Sequence, residues 1–187
     1  MAGAPDDSEL MLRYQRGDTT AFQTLYERHK GPLYRYCLRQ VGDAQTASDL
    51  FQETWTKIIG ARRRYQPTAK FTTYMYKVAH NCTVDHLRKL GRNPTANPGR
   101  RVDAGLAPEP VDTESATSAV QLQQRFARAL AELPEEQRSA FLLREEGGLS
   151  LAEIARTTGV PEETAKSRLR YAVKKLRAVL GDAEPGQ

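Results

Sequence analysis

The cations that cluster near the C-terminus are the residues whose types and spacing most clearly indicate chemistry. Residues 164–177 contain six lysines and arginines and no acid. Apolar residues recur at helical spacing in the same segment, and a helix that buries them would leave Lys166, Arg170, Lys174 and Arg177 on one exposed stripe. Such a stripe can contact the phosphates and base edges of DNA, so the segment predicts a nucleic-acid-binding helix.

Two short elements before this helix would position it. Ser150 can cap a first helix, Gly159 can form a tight turn, and Pro161 suits the first position of the second helix. This order is typical of a helix-turn-helix, whose second helix enters the DNA major groove. Arg168 is ambiguous between DNA contact and structure, and Lys174 has a phosphate-contacting or structural role. The residues expected to contact DNA are Thr164, Lys166, Ser167, Arg168, Arg170, Tyr171 and Lys174.

The overall charge agrees with an anionic partner. The chain has 187 residues, 28 lysines and arginines against 23 acids, and a net charge of +5. Residues 62–89 form a second basic segment, in which Asp85 is the only acid. For either segment the alternative is a solvated charged face, but the turn, the apolar stripe and the missing acids of the C-terminal segment together favour DNA binding.

Several classes of protein are disfavoured. The first nine residues carry early acids and no apolar core, so we expect no signal peptide, and no apolar run approaches the roughly 18 residues of a membrane span. Cys37 and Cys82 form no CxxC pair, which fits a reducing cytoplasm. His80, Cys82 and His86 are spaced by two and four residues and do not share one helix face, so we expect no metal site. No arrangement indicates catalysis or a cofactor.

The chain divides into two helical blocks and a linker. Residues 91–118 hold four of the ten prolines and almost no large apolar residue, so this segment should stay extended or mobile. We therefore predict an all-α fold with two small helical domains joined by a flexible Pro/Gly-rich linker. The predicted ranges are 1–90 for the N-terminal domain, 91–118 for the linker, 119–181 for the helix-turn-helix domain and 182–187 for a disordered tail.

The helices of the N-terminal block begin at recognisable capping residues. Asp7 or Ser8 can cap the first helix, Asp18 the second and Asp43 the third. The second helix contains Pro32 and is expected to kink or break there. In the third helix the apolar stripe is nearly ideal for an amphipathic helix, and it consists of Ala47, Leu50, Phe51, Thr54, Trp55, Ile58 and Ile59.

Three segments in this order resemble one known family. They are residues 49–55 (DLFQETW), the basic-aromatic helix 71–89, and the helix-turn-helix segment that ends in residues 159–169 (GVPEETAKSRL). The chain resembles a bacterial RNA polymerase sigma factor of the extracytoplasmic-function group from about residue 8 to residue 180. That group keeps two sigma domains joined by a linker.

The resemblance implies two further binding surfaces. The third helix would dock on the coiled coil of the polymerase's largest subunit through the polar residues opposite its apolar stripe, while Trp55 belongs to the core. The docking residues implied are Asp49, Gln52, Glu53 and Thr56. The family often has Trp where Tyr74 stands, so packing within the bundle is an equal alternative for Tyr74. The residues implied for melting and reading the proximal promoter element are Arg62, Arg63, Arg64, Tyr65, Lys70, Tyr74, Lys77, Asn81 and Arg88.

The function implied is promoter recognition without catalysis. The partners implied are core RNA polymerase and promoter DNA, as duplex at the distal element and as single strand at the proximal one. Members of the family are often held inactive by an anti-sigma factor. A stand-alone DNA-binding regulator would leave the Asp49–Glu53 face unexplained. An adaptor that copies a sigma domain would tend to lose the basic residues that this chain keeps.

Overall fold

The described part of the chain is entirely helical. The computed structural model describes residues 5–92 and 113–181, and these contain eight α-helices, one short 3-10 turn and no strand. The helices are α1 Asp7–Gln15, α2 Thr19–Val41, α3 Ala44–Gly60, α4 Phe71–Arg92, α5 Thr113–Ala131, α6 Glu135–Glu145, α7 Leu151–Thr158 and α8 Glu162–Gly181, and the 3-10 turn is Arg62–Arg64. The predicted all-α class is confirmed for these residues.

Most of the predicted linker, and the predicted tail, lie outside the described residues. At the margins of the linker the helices extend further than the sequence suggested. Helix α4 continues through Arg92, and α5 begins at Thr113, so that its first six residues fall within the predicted linker. Among the described residues no helix is both long and apolar enough to cross a membrane.

Aspartates start the first three helices. The carboxylates of Asp18 and Asp43 accept the backbone N–H groups of Ala21 and Thr46 at 3.1 and 2.7 Å, as expected. The prediction for α1 was wrong by one residue, because Asp6 is the cap and accepts the N–H of Glu9 at 2.8 Å.

The side chain of Asp7 instead links α1 to α2. Its carboxylate oxygens lie 2.8 Å from Arg28 Nη1 and 2.8 Å from His29 Nε2, and both partners belong to α2. Helix α2 itself is continuous through Pro32, so it does not break there. A proline inside a helix costs one backbone hydrogen bond and some crowding, and here the flanking Leu33, Tyr36 and Cys37 are buried and offset that cost.

The N-terminal core combines aliphatic side chains with an aromatic cluster. Trp55 is 4% exposed, as the sequence predicts, and its ring lies 5.3 Å from Tyr26 and 5.6 Å from Phe22. Phe51 completes the cluster between α2 and α3. Aromatic pairs at these distances add to the burial energy. Ile59, which was expected on the buried stripe, is 40% exposed because it lies at the last turn of α3.

The N-terminal helices α1–α4 pack directly on the C-terminal helices α5–α8. The side chain of Glu146, just after α6, is 5% exposed and pairs with Arg35 of α2 at 3.0 Å and with Arg39. The hydroxyl of Tyr76 in α4 donates to the backbone oxygen of Glu146 at 2.9 Å. Gly147 permits this close approach, because a Cβ there would lie 3.1 Å from the Tyr76 ring. We call this contact the Glu146 junction.

We expect Glu146→Gln to weaken the junction. The amide cannot neutralise the two guanidinium groups. Because both arginines are partly exposed, water screens their charges, and the free energy of unfolding should fall by about 1–3 kcal/mol. Denaturant unfolding measures this change, and small-angle scattering should show a larger radius of gyration. The control is Glu145→Gln at the exposed neighbouring acid. Equal stability and equal radius for the two variants would contradict the prediction.

Candidate nucleic-acid interface

The helix-turn-helix is built by local capping. The hydroxyl of Ser150 accepts the N–H of Glu153 at 3.3 Å, and the carboxylate of Glu153 accepts the N–H of Ser150 at 2.8 Å. This reciprocal capping box starts α7. Gly159 ends α7 with a φ of 70°, a left-handed conformation that favours glycine. Buried Ile154, Ala155 and Ala165 then join α7 to α8.

After a first turn that carries Glu162 and Glu163, α8 presents a positive surface. Lys166, Arg170 and Lys174 are exposed, and Tyr171 is half-exposed. The guanidinium of Arg170 lies over the Tyr171 ring at 5.3 Å, which restrains both groups side by side. Lys166 makes only an exposed pair with Glu163, at 3.6 Å, and such a pair exchanges easily for another anion. The remaining predicted residues of this surface, Thr164, Ser167 and Arg168, are partly buried.

Unlike Lys166 and Arg170, Arg168 lies near the N-terminal half of the chain. Burial, and after it the positive charge of Arg168, lowers the pKa of His80 in α4 to about 4. The ring of His80 also lies 3.5 Å from the hydroxyl of Tyr36. Arg168 therefore lies close enough to α4 for its charge to act on His80, and its side chain is partly buried.

The second basic surface lies on the 3-10 turn and α4. Arg62 is partly buried, with its guanidinium over the ring of Tyr14 at 5.1 Å. Arg88 pairs with Asp85 at 3.4 Å, and both side chains stay more than half exposed. The exposed members of the predicted set are Arg63, Arg64, Lys70, Lys77, Asn81 and Arg88.

The two tyrosines of this surface differ in accessibility. Tyr65 is only 5% exposed, with its ring 5.3 Å from that of Tyr74 and 6.4 Å from that of Phe71. Tyr74 is partly exposed. Burial raises the pKa of both hydroxyl groups. Tyr74 is therefore the accessible ring of the pair, and the buried Tyr65 packs against it.

Glu153 links the helix-turn-helix to the second basic surface. The hydroxyl of Thr73 in α4 donates to its carboxylate at 3.1 Å, and the ammonium of Lys70 lies 3.6 Å away. The pKa of Glu153 falls to about 2, mainly because the N–H of Ser150 donates to the carboxylate, with smaller contributions from the Ser150 hydroxyl, Thr73 and Lys70. Helix α7 therefore covers the first turn of α4 at Thr73, while Lys70, just before α4, stays 75% exposed.

The polar face of α3 is a third surface. Asp49, Gln52, Glu53 and Thr56 are all exposed and lie opposite the buried stripe. Glu53 pairs with Lys57 at 2.8 Å, and this partner lowers the pKa of Glu53. The four residues predicted for polymerase docking are thus brought together. No group of three or more His, Cys, Asp or Glu residues in the described ranges could hold a metal ion.

Sequence reasoning missed the residues that join the two halves. The pattern of Ser150 followed by an acid three residues later could have predicted the capping role of Glu153. Nothing local indicates that Glu153 also contacts Thr73, or that Glu146 contacts α2, because these partners are 80 and about 110 residues apart along the chain.

Comparison with protein families identifies both halves of the chain. Residues 25–93 match the family model described as Sigma-70 region 2, and residues 123–176 match the model described as Sigma-70, region 4. The RNA polymerase sigma-H factor of Pseudomonas aeruginosa is 32% identical over an alignment of 187 positions. The alignment covers 95% of this chain and 97% of that protein. The ECF RNA polymerase sigma factor SigM of Mycobacterium tuberculosis is 31% identical, over 96% of this chain and 87% of its own length.

Solved structures show the same fold. CnrH in complex with the cytosolic domain of CnrY has a TM-score of 0.69 and 21% identity, over 95% of this chain and 99% of that one. The sigma factor RpoE from Bartonella quintana, in complex with the anti-sigma factor NepR, has a TM-score of 0.68 and 23% identity, over 88% and 98%. The chain therefore belongs to the sigma-70 family of RNA polymerase sigma factors, in its extracytoplasmic-function group.

Proposed function

We propose that this sigma factor divides promoter recognition between its two basic surfaces. The exposed stripe of α8 contacts the distal element as duplex DNA, and the 3-10 turn with α4 melts and holds the proximal element as single strand. The polar face of α3 docks on the largest-subunit coiled coil of core RNA polymerase. The domain ranges remain those predicted, 1–90 and 119–181 around the linker 91–118. The protein acts in the cytoplasm, and the polymerase supplies all catalysis.

One observation carries this proposal, namely that cations of α8 are exposed on the face opposite its buried residues. Ala165, Ala172 and Leu176 are buried, whereas Lys166 and Arg170 are exposed. This division gives the helix one face that packs within its own domain and another that can enter the major groove of DNA. Phosphates attract the later cations, and the first turns lie closest to base edges.

The compact arrangement has a consequence for the mechanism. Arg168 lies close to His80 of the opposite half, so its use as a DNA contact requires the halves to separate, whereas Lys70 is 75% exposed and needs no separation. Binding at two linked sites raises the effective concentration of the second contact once the first has formed. The proposal therefore includes opening of the Glu146 junction when polymerase and promoter bind. It also includes an anti-sigma partner. The structure of RpoE in complex with the anti-sigma factor NepR supports this part of the proposal.

The deciding experiment is transcription of fragmented genomic DNA by bacterial core polymerase, with and without this protein, followed by sequencing of transcript starts. We expect new starts that share two spaced upstream elements. Binding to DNA fragments without new starts would favour a stand-alone DNA-binding regulator instead. In that case the α3 face would need a different partner.

We expect Lys166→Glu and Arg170→Glu each to weaken promoter binding. A good base contact contributes about 1–3 kcal/mol, and charge reversal also repels the phosphates. Fluorescence anisotropy of the holoenzyme with labelled promoter DNA measures the loss. Lys30→Glu in α2 is a charge-matched control, since Lys30 is exposed on another helix. Wild-type affinity for both α8 variants would refute the assignment of α8.

We expect the double change Asp49→Arg and Glu53→Arg to reduce assembly with core polymerase. Both side chains are exposed, so the change alters surface charge without disturbing the core. Competition with wild-type protein for core polymerase measures the loss, and reversal of the exposed acids Glu9 and Glu27 provides the matched control. Unimpaired assembly of the Asp49/Glu53 variant would rule out the docking role of this face.

A further inference from the structure

The end of α1 holds the loop between α3 and α4. Gln15 is the last residue of α1, and its side-chain amide nitrogen donates to three backbone oxygens of that loop. The distances are 3.0 Å to Arg62, 3.1 Å to Arg63 and 3.1 Å to Tyr65. A primary amide carries two hydrogens, so one of them is shared between two carbonyl groups. One side chain thus fixes the backbone of most of this short segment.

Tyr14, the residue before Gln15, holds the side chain of Arg62. The guanidinium of Arg62 lies over the ring of Tyr14 at 5.1 Å, and Tyr14 is buried. Arg63 and Arg64 are exposed. Helix α1 therefore holds Arg62 against the protein and leaves the next two cations facing solvent.

The backbone of the loop has few hydrogen bonds of its own, namely Arg64 N–H to Ala61 at 2.9 Å and Tyr65 N–H to Arg62 at 3.3 Å, although the Tyr65 ring is buried. The 3-10 turn Arg62–Arg64 is three residues long and lacks a side-chain cap. Such short turns form weak hydrogen bonds and open easily. The long-range bonds from Gln15, 47 to 50 residues away along the chain, supply the constraint that the turn itself lacks.

We propose that Gln15 is a positioning residue for promoter opening, which holds residues 62–65 so that Arg63 and Arg64 meet the single-stranded proximal element beside Tyr74. The match to Sigma-70 region 2 begins at residue 25, so Gln15 lies outside the segment that the family model describes. The inference rests on the proposed function, because it requires that this loop contacts melted DNA. Gln15 acts through the loop backbone and does not itself contact DNA.

The test compares the full-length Gln15→Leu variant with wild type in holoenzyme. Leucine has a similar size and no hydrogen-bond donor. Three quantities are measured: affinity for core polymerase, binding to duplex DNA that carries only the distal element, and opening of the whole promoter. Permanganate reactivity of thymines in the proximal element reports the opening. The control is Gln23→Leu at an exposed glutamine of α2.

We expect promoter opening to fall by about three- to tenfold, which corresponds to the loss of one or two hydrogen bonds of ordinary net strength. Affinity for core polymerase and for the distal element should stay at the wild-type level, and Gln23→Leu should open the promoter normally. Hydrogen exchange should become faster at the amides of residues 62–65 and stay unchanged elsewhere.

Three results would overturn the proposal. Faster exchange throughout the helices would mean that Gln15 acts on general stability. Normal opening by Gln15→Leu, with wild-type protein active in the same assay, would remove the positioning role and leave the proposed function intact. Failure of the wild-type holoenzyme to open any promoter would overturn both.

Discussion

The hydrogen bonds of the Glu153 carboxylate support both the start of the helix-turn-helix and its position against α4. It accepts the N–H of Ser150, which starts α7, and the hydroxyl of Thr73, which belongs to α4. Lys70 is 75% exposed at 3.6 Å and contributes little by comparison, because water screens its charge. The backbone N–H, which is fixed in direction, accounts for most of the lowered pKa. One side chain thus serves local folding and contact between the two halves.

The helices of the N-terminal half each separate a packing face from a binding face. In α3 the aromatic cluster around Trp55 fixes the helix, which leaves Asp49 and Glu53 free to face solvent. In α4 the division is less complete, since Tyr76 packs on the C-terminal half and Thr73 is covered by α7. The face proposed for docking is therefore open in the compact arrangement, and most side chains proposed for the proximal element are also exposed beside the covered Thr73 and Tyr76.

The features that sequence could predict are those set by local chemistry. The caps Asp18, Asp43 and Ser150 and the left-handed Gly159 each follow from the residues within three or four positions of them. The polar face of α3 follows from helical periodicity. The interpretation failed where burial in the folded helices decides. Pro32 is tolerated because the helix around it is buried, and Tyr65, expected to be available for stacking, is enclosed by Phe71 and Tyr74.

The contact between the halves combines buried apolar side chains with a polar junction around Glu146. The Glu146 junction consists of an ion pair with two partly exposed arginines and one tyrosine hydroxyl bond, and water can replace each of these when the halves separate. Promoter phosphates and polymerase offer charged partners in their place, so separation exchanges one set of polar contacts for another. Arg168 makes this exchange most directly, because the charge that faces His80 in the compact form belongs to the helix assigned to DNA. In the proposed mechanism the same cation would serve DNA in one state and face His80 in the other, so competition for it would couple opening of the chain to DNA binding.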